Sequence, residues 1–452
     1  MADNNLDRLA TGSIGKLLWE YSLPSVVGMI VMALYNVVDR IFIGQWVGPD
    51  AIAGLAITFP VMNLTTAIGV LVGVGASARS SIVLGAGNVR QAEQILGNTM
   101  TLTLINGIVY ITAFAYFINP LLQLFGASDV TLPYAREYML IILPGCLLTN
   151  ITYGLNNIMR ASGYPNRAMI TMLIGAALNV VLDAIFINVF NWGIAGAAAA
   201  TDISMAVTSV FVLVHFFRKT STVRFRRGTF SLKAKVVLGL ISIGAAPAIV
   251  NTASCAVNAL ANNALLQFGT DRDIGAAGIM ITYTSLMVTI VLGICQGMQP
   301  VIGYNFGAKL LHRLKKAYFL SVVAASIITF SGAFYGMLYP EDVARIFTSD
   351  ADLIASTGRA LSQCLIVFPV VGFQIISTSF FQSIGKATES ILVGLLRQVI
   401  FLIPLLIFLP RFIGLDGVWW SFPASDAVAT VVTALLLIKQ FKYLNSMISG
   451  TR

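Results

Sequence analysis

The chain has 452 residues, of which 57% are hydrophobic and only 10% charged. A soluble domain carries about 25% charged residues, and a fold of this length could not cover its surface with so little polar material. A cytosolic enzyme, a secreted module and a disordered chain are therefore excluded, and an all-α polytopic membrane protein is left.

The N-terminal stretch MADNNLDRLATGSIGK is polar and acidic. It lacks a basic n-region and a small-residue cleavage site, so the first apolar run is expected to be a permanent span. Twelve runs are long enough to cross a bilayer: roughly 17–42, 52–77, 95–118, 135–157, 168–189, 194–217, 236–266, 275–302, 317–338, 358–382, 389–409 and 415–438. They are rich in Leu, Ile, Val and Ala and do not alternate like the strands of an outer-membrane barrel. Span 1 carries Pro24, which is either a tolerated first-turn proline or the site of a bend. Beyond it come Asn36 and Asp39, three residues apart on one helix face. Span 5 carries Asn179 and Asp183 one turn apart. Span 6 follows a small-residue run, GIAGAAAATD, with Thr201 and Asp202; Ala and Gly there let helices approach closely. Span 7 has the amides Asn258, Asn262 and Asn263 and no acid. Arg397 in span 11 and Asp426 in span 12 are expected to form a structural ion pair.

Cys146, Cys255, Cys295 and Cys364 all lie in apolar runs, which reads as small buried hydrophobes. The two histidines, His215 and His312, fall near helix ends. There is no HExxH and no GxxxxGK[ST], so neither a zinc enzyme nor an ATP-driven engine is expected, and no cofactor.

Placing the N-terminus in the cytoplasm puts 21 of the 28 basic residues on that side and six on the other, with Arg397 inside a span. Such asymmetry supports the orientation, an even number of spans and two cytoplasmic termini. The net charge of +9 is explained by this topology, since the basic residues punctuate the apolar runs; a nucleic-acid partner is not expected. The most basic stretch, Arg218–Lys235, sits midway along the chain and reads as a cytoplasmic linker.

The halves on either side of it are similar. One constant offset, close to half the chain, brings Gly75 onto Gly297, Leu84-Gly85-Ala86 onto Phe306-Gly307-Ala308, Phe125 onto Phe347 and Gly163 onto Gly385. A small slip brings Pro24 onto Pro247 and Pro144 onto Pro369. The expected organisation is an N-lobe, residues 1–217, a linker, residues 218–235, and a C-lobe, residues 236–452. Two six-span bundles entering the membrane from the same side form parallel repeats with a cleft between them.

Acids at bilayer depth are costly, about 2.5–3.5 kcal/mol on insertion scales. Asp39, Asp183, Asp202 and Asp426 are there nonetheless. Carboxylate, amide and hydroxyl oxygens from spans 1, 5 and 6 suit a hard cation or a proton. The plainer reading is a set of polar groups hydrogen-bonded between helices, and for Asp202 the two readings stand level. Arg40, next to Asp39, is expected to snorkel to the outer headgroups.

The sequence resembles the multidrug and toxic compound extrusion (MATE) family over nearly its whole length. The resemblance rests on YNVVDRIFIG in span 1, GVGASARSSIVLGAGN at the first basic loop, MRASGYP after span 4, and their counterparts GICQGMQPVIGYNFGA and FQSIGKA. It implies a V-shaped pair of lobes and antiport of organic compounds, often cationic, against protons or sodium ions across the inner membrane of a prokaryote. It also implies an N-lobe site for H+ or Na+ made of Asp39, Asn179, Asp183 and Thr201, with Asn36 and Asp202 in support. Tyr35, Asn156 and Met172 would line the N-lobe cavity and Pro24 would be its hinge. The implied partners are small-molecule drugs, lipophilic cations and the lipid bilayer, with the protein a monomer. A lipid or polysaccharide-precursor flippase of the same superfamily and a passive channel are the alternatives.

Overall fold

The computed structural model describes residues 2–448. Among them there is no strand, and twelve spans follow one another. They are Ile14–Trp46, Pro49–Gly85, Val89–Tyr116, Leu132–Ala161, Pro165–Val189, Gly193–Phe217, Ala234–Phe268, Asp271–Gly307, Leu311–Leu338, the pair Ala351–Cys364 and Phe368–Ser383, Ala387–Ile413 and Leu415–Ile448. A short helix, Ala2–Thr11, precedes them. All twelve expected spans are present, and most are longer than the apolar run that revealed them. At 37 residues span 8 is about 55 Å long, so its ends stand well clear of the hydrocarbon.

Local chemistry fixes the ends. Asn88 accepts from the Gln91 N–H at 2.9 Å to start span 3. Thr270 and Asp273 form a reciprocal cap on span 8, and Asp350 caps the first half of span 10; each such cap is worth about 1 kcal/mol. Span 1 runs unbroken through the buried Pro24. Span 10 instead bends by 57° between its two pieces. Its Pro369 lies at that break, where the Pro369 carbonyl accepts from Thr329 Oγ1 at 2.8 Å. The partner proline in the repeat, Pro144, lies inside an uninterrupted helix.

The repeat is visible in the backbone. Gly163 and Gly385 both take positive φ in the turns that follow spans 4 and 10. Gly87 (φ 76°) and Lys309 (φ 58°) occupy the same left-handed turn position and are related by the same offset. This geometry favours glycine, yet the second half accepts a lysine.

Within the N-lobe, span 4 packs on spans 2, 3 and 6, and span 5 on spans 1 and 6; within the C-lobe, span 8 packs on spans 9 and 10, and span 11 on spans 7 and 12. The lobes meet along spans 1, 2, 7 and 8, where bare glycines admit the facing backbone. A Cβ on Gly85 would collide with the Tyr304 carbonyl oxygen, and one on Gly307 with that of Ile82. These two contacts are each other's repeat, since the offset carries each member of one onto a member of the other. Gly75 against Leu240, Gly244 against Leu71 and Gly293 against Val26 continue the seam. Further along, Asn63 Nδ2 reaches Cys255 Sγ at 3.6 Å. Beyond that point span 7 presents exposed Asn258, Asn262 and Asn263, and span 1 presents exposed Asn36. A polar, open face on a membrane helix belongs to a cleft rather than to lipid. Cys255 lies on that face and is exposed, which corrects its reading as a buried hydrophobe; Cys146, Cys295 and Cys364 are buried.

The basic linker is not a loose tether. Asn98 of span 3 donates Nδ2 to the carbonyls of Thr229 and Ser231 and accepts from the Lys233 N–H, all within 2.8–3.0 Å. Arg226 pairs with the buried Glu93 at 2.7 Å. At the other lobe, Arg313 donates to the carbonyls of Leu9 and Gly12 at 3.1 and 2.6 Å, holding the N-terminal helix.

Candidate cation site in the N-lobe

Asn179 and Asp183 lie on the inward side of span 5 and both are fully buried. Asn179 donates Nδ2 to Thr201 Oγ1 at 3.1 Å, which joins spans 5 and 6 and leaves Asn179 Oδ1 facing inward. Directly after Asp183 the winding widens to a π-helix, Ala184–Val189. Such turns are rare and recur at functional positions because they turn side chains away from the α-helical register.

Four oxygens there accept no hydrogen bond: Asp39 Oδ1, Asn179 Oδ1, and both Oδ1 and Oδ2 of Asp183. Asp183 and Asp39 are electrostatic neighbours, and Tyr35 and Tyr138 stand close enough to both to feel them. Leaving one buried polar atom unmade costs about 1–3 kcal/mol, more when it is charged. Two neighbouring carboxylates without donors cannot both stay ionised in a medium of low dielectric. The cluster therefore suits something that carries positive charge. Among the described residues no three His, Cys, Asp or Glu side chains gather. Two carboxylates, an amide oxygen and a hydroxyl are instead the donor set of a proton or of a hard cation such as Na+.

The other expected residues divide. Tyr35 joins the acids. Asn36 does not: it is exposed, and its Nδ2 is spent on the Met32 carbonyl at 2.7 Å, one turn back in its own helix. Asp202 follows Thr201 in sequence but points elsewhere, because successive helical residues diverge by about 100°. Its Oδ1 lies against span 4, in the space that a Cβ on Gly145 would fill, and this oxygen too accepts no bond. Asn156 is buried and donates to the Ala168 carbonyl at 3.0 Å, clasping spans 4 and 5. Met172 is half-buried, with its sulfur over Gly28 of span 1, one turn beyond Pro24. Arg40 is exposed, its guanidinium 5.1 Å above the Phe59 ring.

Tyr138 and Gly145 were not legible in the sequence. Both sit on span 4, which carries no acid in the lobe interior, and only the packing brings them to Asp39 and Asp202.

The second lobe has a different arrangement. Arg397 Nε donates to Asp426 Oδ1 at 2.6 Å, the expected ion pair. Gln374 of span 10 supports it from the other side, donating Nε2 to the Asp426 carbonyl at 2.6 Å and to Thr430 Oγ1 at 2.5 Å.

Known proteins agree with this architecture. The sequence profile of the MatE family matches residues 24–185 and 241–408, one stretch in each half. Among curated proteins, the chain is similar to the multidrug export protein MepA of Staphylococcus saprophyticus, 23% identical over 439 residues, which cover 97% of this chain and 96% of the relative. It is also similar to MepA of Staphylococcus aureus, 24% identical over 440 residues, again 97% and 96% of the two. A crystal structure of MATE in the bent conformation superposes with a TM-score of 0.92 at 26% identity, over 98% of each chain. With its two halves, twelve spans and paired matches, the chain belongs to the MatE family.

Proposed function

We propose that this protein is a secondary active multidrug efflux antiporter, exporting organic compounds, often cationic, in exchange for protons or sodium ions. The observation that carries the reading is the set of orphaned oxygens on Asp39, Asn179 and Asp183. A scaffold gains nothing from them, and a passive channel needs no buried acids that change load. The relatives' description as multidrug export proteins supports the substrate class.

In the proposed cycle a proton or Na+ entering from the cleft neutralises Asp39 and Asp183, with Asn179 Oδ1 and the Thr201 hydroxyl completing its shell. Loading draws spans 1 and 5 together. Span 1 then bends at Pro24, which carries Gly28 off Met172, narrows the N-lobe cavity and expels the substrate. Release of the ion on the other side resets the cavity. Alternating access needs only that the ion and the substrate prefer different states; a tenfold preference corresponds to about 1.4 kcal/mol. In this reading the mobile units are residues 1–217 and 236–452. Both termini and the linker 218–235 face the cytoplasm of a prokaryote, and the monomer is the working unit in its inner membrane; the charge asymmetry of the loops supports that orientation.

The test is reconstitution in proteoliposomes with ethidium and an imposed proton or sodium gradient. Uphill dye movement driven by one of the two gradients is expected. Movement that only ever runs downhill, under either gradient, would mark a passive channel and overturn the proposal.

A further inference from the structure

A cavity of about 430 Å³, which Pro24 helps to line, lies on the face that carries the basic segments, at the foot of span 1. One wall is the N-terminal helix and the start of span 1, with Arg8, Trp19, Glu20 and Leu23; the other is the start of span 5, with Tyr164, Asn166 and Arg167. Two features favour an anion there, and a third leaves their charge unbalanced. Asn166 and Arg167 occupy the first turn of Pro165–Asp183, so their N–H groups have no helical carbonyl in front of them and lie at the positive end of the helix dipole. The Arg167 guanidinium is held in place by a hydrogen bond with His215 Nδ1 at 3.0 Å and by the Tyr164 ring, 5.1 Å beneath it. Arg8 donates Nη2 to both oxygens of Glu20 at 2.7 Å; that pair cancels, its other N–H groups stay available, and the charge of Arg167 is left unbalanced.

The rim says what kind of anion. Trp19 is 67% exposed and Leu23 42% exposed, both in the first three turns of span 1, near its end. An open indole at that depth lies among lipid headgroups. Basic cavities between helices on the inner face of a membrane attract acidic headgroups. We infer that this cavity binds the phosphate headgroup of an anionic membrane phospholipid, with the phosphate held by Arg167, Arg8 and the first turn of span 5 and the glycerol and first acyl carbons lying on Trp19 and Leu23.

The experiment is native mass spectrometry of the delipidated full-length protein, titrated with phosphatidylglycerol, with phosphatidylcholine and, separately, with inorganic phosphate. The wild type is expected to retain one phosphatidylglycerol that phosphatidylcholine does not replace and that millimolar inorganic phosphate does not displace. Arg8→Gln and Arg167→Gln should each weaken retention by about fivefold, the weight of one basic residue near an anionic surface. Asn166→Asp keeps the helix start well formed, because an acid is favoured there, yet should also lose the lipid by repulsion. Its thermal midpoint should match that of the wild type, which separates lost binding from lost folding. Equal retention of both lipids, displacement by inorganic phosphate, or undiminished retention in a well-folded Asn166→Asp protein would each overturn the assignment.

Discussion

Span 5 and span 11 hold the same place in the two halves and each widens to a π-turn, but at different levels: Ala184–Val189 lies toward the end of the one and Leu396–Leu402 near the middle of the other. What surrounds the two π-turns differs. In the first half the turn follows Asp183, whose oxygens accept nothing. In the second it carries Arg397, whose guanidinium closes on Asp426 at 2.6 Å. Asp426 is the counterpart of Asp202 within a short slip, so both lobes keep an acid at that level and only one supplies it with a cation from the chain itself. One lobe is electrostatically complete. The other has oxygens without partners, and under the proposed mechanism a counter-charge from solution fills them, which gives ion exchange to the N-lobe and support to the C-lobe.

Breaking the comparison at its strong end means neutralising the waiting acids. Asp39→Asn and Asp183→Asn should each remove gradient-driven export almost wholly, because an ionisable group inside the membrane marks the ion pathway. Expression and membrane insertion should be normal, because an amide of the same volume takes the same place. Their thermal midpoints should stay level or rise, since an unpartnered charge has gone; dye export and a melting curve on the same preparations check both halves of the statement. The mirror experiment is Asp426→Asn. It strands Arg397 and should lower stability by about 2–4 kcal/mol, less than the fullest penalty for a broken buried pair, because the Arg397 side chain is 28% exposed. Export per folded molecule should persist. Replacing both partners, Arg397→Met with Asp426→Leu, should restore the melting temperature. The mildest change is Thr201→Val, which keeps the shape and takes away one oxygen. Asn179 then loses its acceptor at a cost of about 1 kcal/mol, and the concentration of coupling ion needed for half-maximal export should rise about fivefold. If Asp426→Asn stops export while Asp39→Asn leaves it intact, the division of labour between the lobes is reversed.

Much of this was legible beforehand, for physical reasons. The spans announce themselves by length and hydropathy, and their ends by caps and glycines such as Gly163 and Gly385. Asp39, Asn179 and Asp183 stood out because a charge or amide in a lipid-length apolar run needs a reason to be there, and the i, i+4 spacing of Asn179 and Asp183 places them together; the Thr201 hydroxyl joined them through what the family resemblance implies. The Arg397–Asp426 pair followed from the same rarity. Contacts between helices distant in sequence were not legible. Nothing in GIAGAAAATD says that Thr201 turns to span 5 while Asp202 turns to Gly145, or that Asn36, on the same face as Asp39 by spacing, ends in the open cleft. Asn156 and Met172 are placed by packing against Ala168 and Gly28, which a period of 3.6 cannot specify. The docking of the linker rests on side chains of span 3, Asn98, Thr101 and Glu93, far in sequence from the groups they hold.

That docking has a mechanical consequence. A free connector over 218–235 would let the two halves translate as well as rotate. With Thr229, Ser231 and Lys233 fixed to Asn98, the chain leaves the first half only at Lys233 and enters the helix of span 7 at Ala234. The connector has in effect no slack. Under the proposed cycle, relative motion of the halves would be a rotation about a joint between two consecutive residues, close to the surface of span 3. A small displacement near that joint would be magnified with distance along span 7 toward its polar end at Asn258 and Asn262. Asn98→Ala would take away the three bonds nearest the joint and leave the linker held only farther back, by Glu93 on Arg226 and Thr101 on the Phe230 carbonyl.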